Sequence, residues 1–149
     1  MQSSRSLALF LLGAAFMPLH PAFVQAGTSY ATFVPTRPQI SGLGGRTFTR
    51  CMHQSGANTG GMLTCIYAEH GRLDLRLNAS YRTTLGRLSQ PKMMTLRSEE
   101  RLWVATRDEA CLVDLKDERE AGGTIYTVDF AMCRLEELKR RIVWVETQR

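Results

Sequence analysis

VDFAMCRLEELKRRIVWV, residues 128–145, decides the fold. Val128, Ala131, Leu135, Leu138, Ile142 and Val145 recur at alternating steps of three and four. That is the period of one face of an α-helix, and no other stripe in the chain is as clean. Toward the N-terminus, KDEREAGGT (116–124) is a charged connection ending in two glycines. A second helix is predicted from about Pro91 to Leu115, with Met94, Leu102, Trp103, Ala110 and Val113 marking its inner side. Before it, Met62, Ile66, Leu73, Leu77, Tyr81, Leu85 and Leu88 form another stripe. That long helix opens after Asn58, a good N-cap, and breaks at Gln90-Pro91, where the missing N–H of Pro91 suits the start of the next helix. Gly60 and Gly61 weaken its first turn, and Gly71 costs about 1 kcal/mol against alanine. No stretch sustains two-residue alternation, and no internal repeat is present. The expected fold class is therefore all-α: a small antiparallel three-helix bundle.

The rest of the chain divides cleanly. Arg5 precedes an apolar run, Leu7 to Phe16, and Val24-Gln25-Ala26 puts small residues where a signal peptidase cuts. Residues 1–26 are expected to be a signal peptide cleaved near Ala26, since the apolar run falls short of the roughly 20 residues a membrane span needs. Residues 27–50, rich in Thr, Ser, Pro and Gly, are expected to be a flexible lead-in. The GLGGRT within them lacks the GK[ST] ending of a phosphate loop. Residues 51–149 form the helical domain. The whole chain carries a net charge of +5, of which Arg5 leaves with the signal. That modest excess serves solubility and permits weak attraction to anionic polymers.

All four cysteines, Cys51, Cys65, Cys111 and Cys133, lie in the exported part. An even count in an oxidising compartment predicts two disulfides, and the absence of any CxxC spacing disfavours zinc. Of the three possible connectivities, Cys51–Cys65 and Cys111–Cys133 are preferred because both close short loops. No metal and no cofactor is expected.

Folding the first two long helices back about Gln90 sets Asp74 beside Arg107, Asn78 near Trp103 and Tyr81 near Glu99. Trp103 and Arg107, four apart, share a helix face. A structural polar cluster of Asp74, Asn78, Tyr81, Trp103, Arg107 and Asp108 is therefore expected. In it, Arg107 stacks on Trp103 and pairs with Asp74 across the helices. Asp, Arg and Trp supply no nucleophile, so no catalytic residue is assigned. His53 and His70 are expected to be separate surface histidines. Asn78-Ala79-Ser80 is a glycosylation sequon, but it falls in mid-helix. The basic run Lys139 to Arg141 reads as a solvated face rather than a nucleic-acid patch, and for an exported chain no nucleic-acid partner is expected.

Taken in order, several of these pieces resemble the N-terminal domain of the LprI-like lysozyme-inhibitor family. They are Cys51, MLTC ending in Cys65, DLRLNASY (74–81), RLWVATRDEAC (101–111), Gly122-Gly123-Thr124, Cys133 and Arg141. The chain departs from the family pattern at Glu100, where a glutamine is usual, at Gly61, where an acid is usual, and at Leu138, where a threonine is usual. The resemblance implies an exported, periplasmic or secreted, binding protein with lysozyme or another envelope protein as partner, and no enzyme activity; it also implies that Arg141 joins the structural polar cluster. An acidic patch of Glu99, Glu100, Asp108 and Glu109 would then suit a basic lysozyme. The alternative is an interaction module that holds an anionic envelope polymer through Arg72, Arg76, Lys139 and Arg140. The sequence leaves the oligomeric state open.

Overall fold

In the computed structural model, residues 33–114 and 123–149 are described. The expected signal peptide and most of the charged connection fall outside them. Among the described residues five helices follow one another: α1 Arg37–Ser41, α2 Arg46–Ser55, α3 Thr59–Leu85, α4 Gln90–Asp114 and α5 Ile125–Thr147. Among the described residues there is no strand, so the chain is all-helical. It is cross-linked by two disulfides, Cys51–Cys65 and Cys111–Cys133, with Cα atoms 5.7 and 5.8 Å apart.

The last helix is the hub. α3 packs along α5, α4 packs on α5, α1 touches α5, and α2 lies on α3. The sequence of α5 explains this. Val128, Ala131, Leu135, Leu138, Ile142 and Val145 are all buried, as their spacing predicts. Lys139, Arg141, Val143 and Trp144 are buried too. From 138 to 145 the helix is therefore covered on nearly every side, as a central helix must be. Burying a leucine such as Leu135 stabilises the fold by roughly 1.5–3 kcal/mol.

α3 presents Ile66, Leu73 and Leu77 to that core, with Met62, Tyr81, Leu85 and Leu88 packed around them. Its start is well defined: Asn58 is extended, and its side-chain oxygen accepts from the Gly61 N–H at 2.7 Å. Such a cap contributes about 1 kcal/mol. Gly61 has a second reason to lack a side chain. A Cβ there would meet the Ser55 Cβ at 3.1 Å, where the end of α2 passes close by. The turn itself needs Gly56, whose φ of 55° and ψ of −130° are closed to L side chains.

Two expectations are corrected. Residues 33–50 are not a featureless lead-in: they contain α1 and the first half of α2, and Leu43 is buried in the core. Short helices with few apolar residues leave no periodic signature, so the composition misled. On α4, Met94 and Leu102 are 52% and 60% exposed, and the inner line is Leu96, Trp103 and Cys111 instead. Leu102, Trp103 and Val104 are consecutive apolar residues, each turned about 100° from the last. Only one of them faces α5, and periodicity alone did not select it.

Candidate functional site

The polar centre of the molecule forms where α4 meets α5. Arg141 is 0% exposed. Its Nε donates to Glu100 Oε2 at 2.9 Å, and its Nη2 lies 2.9 Å from the same oxygen. Its guanidinium sits 4.0 Å from the centroid of the Trp144 ring and 5.4 Å from that of Trp103. A planar, weakly hydrated cation suits this place better than an ammonium would, because it can pair in its plane and stack on its faces. Glu100 thus belongs to the interior seam rather than to a surface acidic patch. Its carboxylate matches the charge of Arg141.

One turn further along α4, Arg107 lies over Trp103 at 5.2 Å, as its four-residue spacing implies. Its ionic partner differs from the expected one. Arg107 Nε meets Asp108 Oδ1 at 3.2 Å, and Arg134 of α5 approaches the same oxygen at 3.0 Å. Asp74 instead accepts from Asn78 Nδ2 at 3.1 Å within α3. The expected bridge across two helices fails because α3 and α4 each pack on α5 rather than chiefly on one another. Asn78 is exposed, while Tyr81 packs against the apolar core that includes Trp103. We expect Arg107→Ala to cost only about 1 kcal/mol, since a partly exposed stack and a surface ion pair are each weak. A thermal melt should move by no more than a few degrees.

His70 is half-buried near the same charges. Burial, then Arg134 and Arg107, hold its imidazole below its ordinary pKa, with Asp74 and Asp108 opposing. His53 is exposed on α2. The register set by Cys51–Cys65 and by the Gly45–Glu69 bond puts the two histidines at different levels of the α2–α3 pair.

A second polar centre escaped the sequence reading. Glu69, buried on α3, accepts from the Gly45 N–H at 3.0 Å and from Arg72 Nε at 2.8 Å and Nη2 at 2.6 Å. Arg72 Nη2 also donates to the Leu43 carbonyl at 2.6 Å. Together they clamp the link between α1 and α2 onto α3. The signal was present, as an acid interrupting the apolar line between Ile66 and Leu73 with an arginine three residues later. Bonds from Arg72 hold the Glu69 carboxyl below its ordinary value near 4.5, against burial, which pushes it up. A group whose folded pKa lies below its unfolded one stabilises the fold above the unfolded pKa, and that contribution is lost as pH falls through the folded value. Stability should therefore fall on acidification below about pH 4.5, and Glu69→Gln should flatten that part of a melting-temperature-against-pH profile.

The four cations expected to form a polymer-binding face are all engaged. Arg72 holds Glu69. Arg76 meets Glu146 at 3.2 Å, and Ser80 donates to that carboxylate at 2.8 Å. Lys139 is buried rather than solvated; it bonds Glu136 at 2.6 Å and lies 5.9 Å from the Phe48 ring. Arg140 bonds Glu137 at 2.7 Å and reaches the Phe33 carbonyl at 3.4 Å. Of the expected acidic patch, Asp108 and Glu100 are bound to arginines, while Glu99 is half-exposed and Glu109 exposed.

Two surface depressions open to solvent. One lies between Pro35, Ile40, Ser41, Glu136 and Lys139, the other beside Ser80, Thr83, Arg87 and Glu146. Among the described residues, no group of three His, Cys, Asp or Glu side chains is placed to hold a metal ion, and no helix is long and apolar enough to cross a membrane. What the polar clusters do chemically is neutralise buried charge and fix how the helices sit against each other. Residues 51–144, well over half of the chain, match the family described as lysozyme inhibitor LprI. Neither a curated protein nor a solved structure gives a match.

Proposed function

The chain belongs to the LprI lysozyme-inhibitor family, and on that premise we propose that it is an exported envelope protein that binds and inhibits a lysozyme-type muramidase without catalysing a reaction itself. The family match carries this reading. It runs from Cys51, the first bridged cysteine, to Trp144, which stacks on Arg141, and so takes in both disulfides and most of the buried core. Two disulfides suit an oxidising compartment, periplasmic or extracellular. Cleavage of a signal peptide near Ala26 would deliver the chain there. Within this reading α3, α4 and α5 form an antiparallel bundle around α5, and the internal ion pairs hold it rigid. A rigid inhibitor loses less conformational freedom on binding.

The net charge, +5 for the whole chain and one less once Arg5 leaves with the signal, shapes how such binding must work. A basic muramidase would be repelled at long range, so affinity has to come from short-range contacts inside the Debye length of about 8–10 Å. Capture of an anionic polymer through Arg72, Arg76, Lys139 and Arg140 is the weaker reading, because each of these already holds a carboxylate. The test is lysis of a peptidoglycan suspension by a c-type muramidase with the protein added. We expect lysis to slow in proportion to added protein. Undiminished lysis at micromolar excess removes the inhibitor reading.

A further inference from the structure

We propose that the outward face of α4, built from Met94, Arg97, Arg101 and Val104, is the surface that enters the carboxylate-lined cleft of the muramidase. This rests on the inhibitor reading above and specifies where the contact is made. The four residues follow one another at steps of three, four and three, and so form one stripe along the helix, about 15 Å long. They turn away from Leu96 and Trp103, which face inward. Met94 and Val104 are 52% and 53% exposed, and Arg97 and Arg101 are exposed between them.

The two arginines stand apart from the cations around them. Arg72, Arg76, Arg107, Arg134, Lys139, Arg140 and Arg141 each meet a carboxylate within the chain. Among the described residues, Arg97 and Arg101 meet none. Like charges four apart on a helix destabilise it by about 0.2–0.5 kcal/mol, so this pair costs the free protein a little and invites a compensating acid. Arg46 and Arg50 on α2 are also exposed and four apart, but the exposed residues beside them are Thr47, Thr49 and His53, with no apolar anchor. On α4 two guanidinium groups that meet no carboxylate among the described residues stand together between two exposed apolar side chains, and arginine and methionine are both enriched at interfaces.

The partner's chemistry completes the fit. A glycoside hydrolase places two carboxyl groups across its cleft to carry out the reaction, whatever the charge of its outer surface. A guanidinium fork matches a carboxylate bidentately, and such bonds strengthen when water is excluded. An amphipathic helix laid into a groove is a recurrent mode of recognition. It also places the attraction at short range, where repulsion between two basic proteins matters least.

The experiment compares inhibition of the c-type muramidase by three versions of the full chain, produced by export so that both disulfides form. They are the unaltered protein, Arg97→Ala/Arg101→Ala, and the charge-matched Arg46→Ala/Arg50→Ala. The α4 pair should weaken inhibition tenfold or more, as hot-spot arginines do, while the α2 pair stays within about twofold, an electrostatic effect on encounter alone. Melting temperatures of both should match the unaltered protein. If the α4 pair melts early, Arg97→Gln/Arg101→Gln keeps the aliphatic stems and decides instead. Full inhibition by the α4 variant, or equal loss in both pairs, overturns the proposal and leaves the inhibitor reading standing. No inhibition by the unaltered protein removes both.

Discussion

Arg141→Ala should destabilise the protein by about 3–5 kcal/mol, the usual cost of breaking a buried ion pair by removing one partner. For a chain of this size that lowers the melting temperature by roughly 10 °C. Arg141 has no exposed surface and pairs with Glu100. Its loss takes that partner from the Glu100 carboxylate, itself mostly shielded, and opens a void where the guanidinium stacks on the Trp103 and Trp144 rings. The design of the pair gives a second, opposite expectation. Buried ion pairs replaced on both sides by apolar groups are often neutral or better. The double change Glu100→Leu/Arg141→Met should therefore recover most of the loss, with a coupling energy well above the few tenths of a kcal/mol seen for independent sites. A melt of Arg141→Ala as mild as that of Arg107→Ala would contradict this assignment of the core.

Loss of the disulfides should be comparably severe. Each bridge is worth roughly 3 kcal/mol on loop-closure grounds, so reduction of both removes about 6 kcal/mol from a total of about 5–15. The reduced protein should be partly or wholly unfolded at physiological temperature, as read by far-ultraviolet circular dichroism with and without reductant. The two bridges are not equivalent. Cys51–Cys65 ties α2 to α3, a junction also held by the Glu69–Arg72 clamp and by Phe48 and Met52 against the core. Cys111–Cys133 anchors the end of α4 to α5, and α5 is the chief helix α4 rests on. Cys111→Ala/Cys133→Ala should therefore cost more than Cys51→Ala/Cys65→Ala. Equal melting of reduced and oxidised protein would show that the bridges do not carry this load.

Why some of this was legible in the sequence, and some not, follows from what each residue touches. The stripe from Val128 to Val145 was readable because α5 buries that whole face, and burial on one face is what periodicity encodes. The Asn58 cap was readable because capping is local chemistry between residues three apart. The cysteine pairing followed from short loops. Arg107 on Trp103 was readable for the same local reason, but its partner was not. Asp74 and Asp108 are both acids at plausible places, and which one Arg107 meets depends on how α3 and α4 sit around α5, a matter of tertiary packing. Lys139 and Arg141 show the limit most clearly. In sequence they share a basic run that looks solvated, and only the family resemblance sets Arg141 apart from it. In the fold both are buried, one on Glu136 and the other between two tryptophans. No local rule distinguishes a charge that faces water from one whose counter-charge arrives from another helix.

The most direct test of the central claim is calorimetric titration of a c-type muramidase with the oxidised protein. The account predicts saturable single-site binding with a Kd of about a micromolar or tighter, some −8 kcal/mol, competed by a soluble chitooligosaccharide that fills the same cleft. No heat of binding, or binding that the oligosaccharide leaves unchanged, would contradict it.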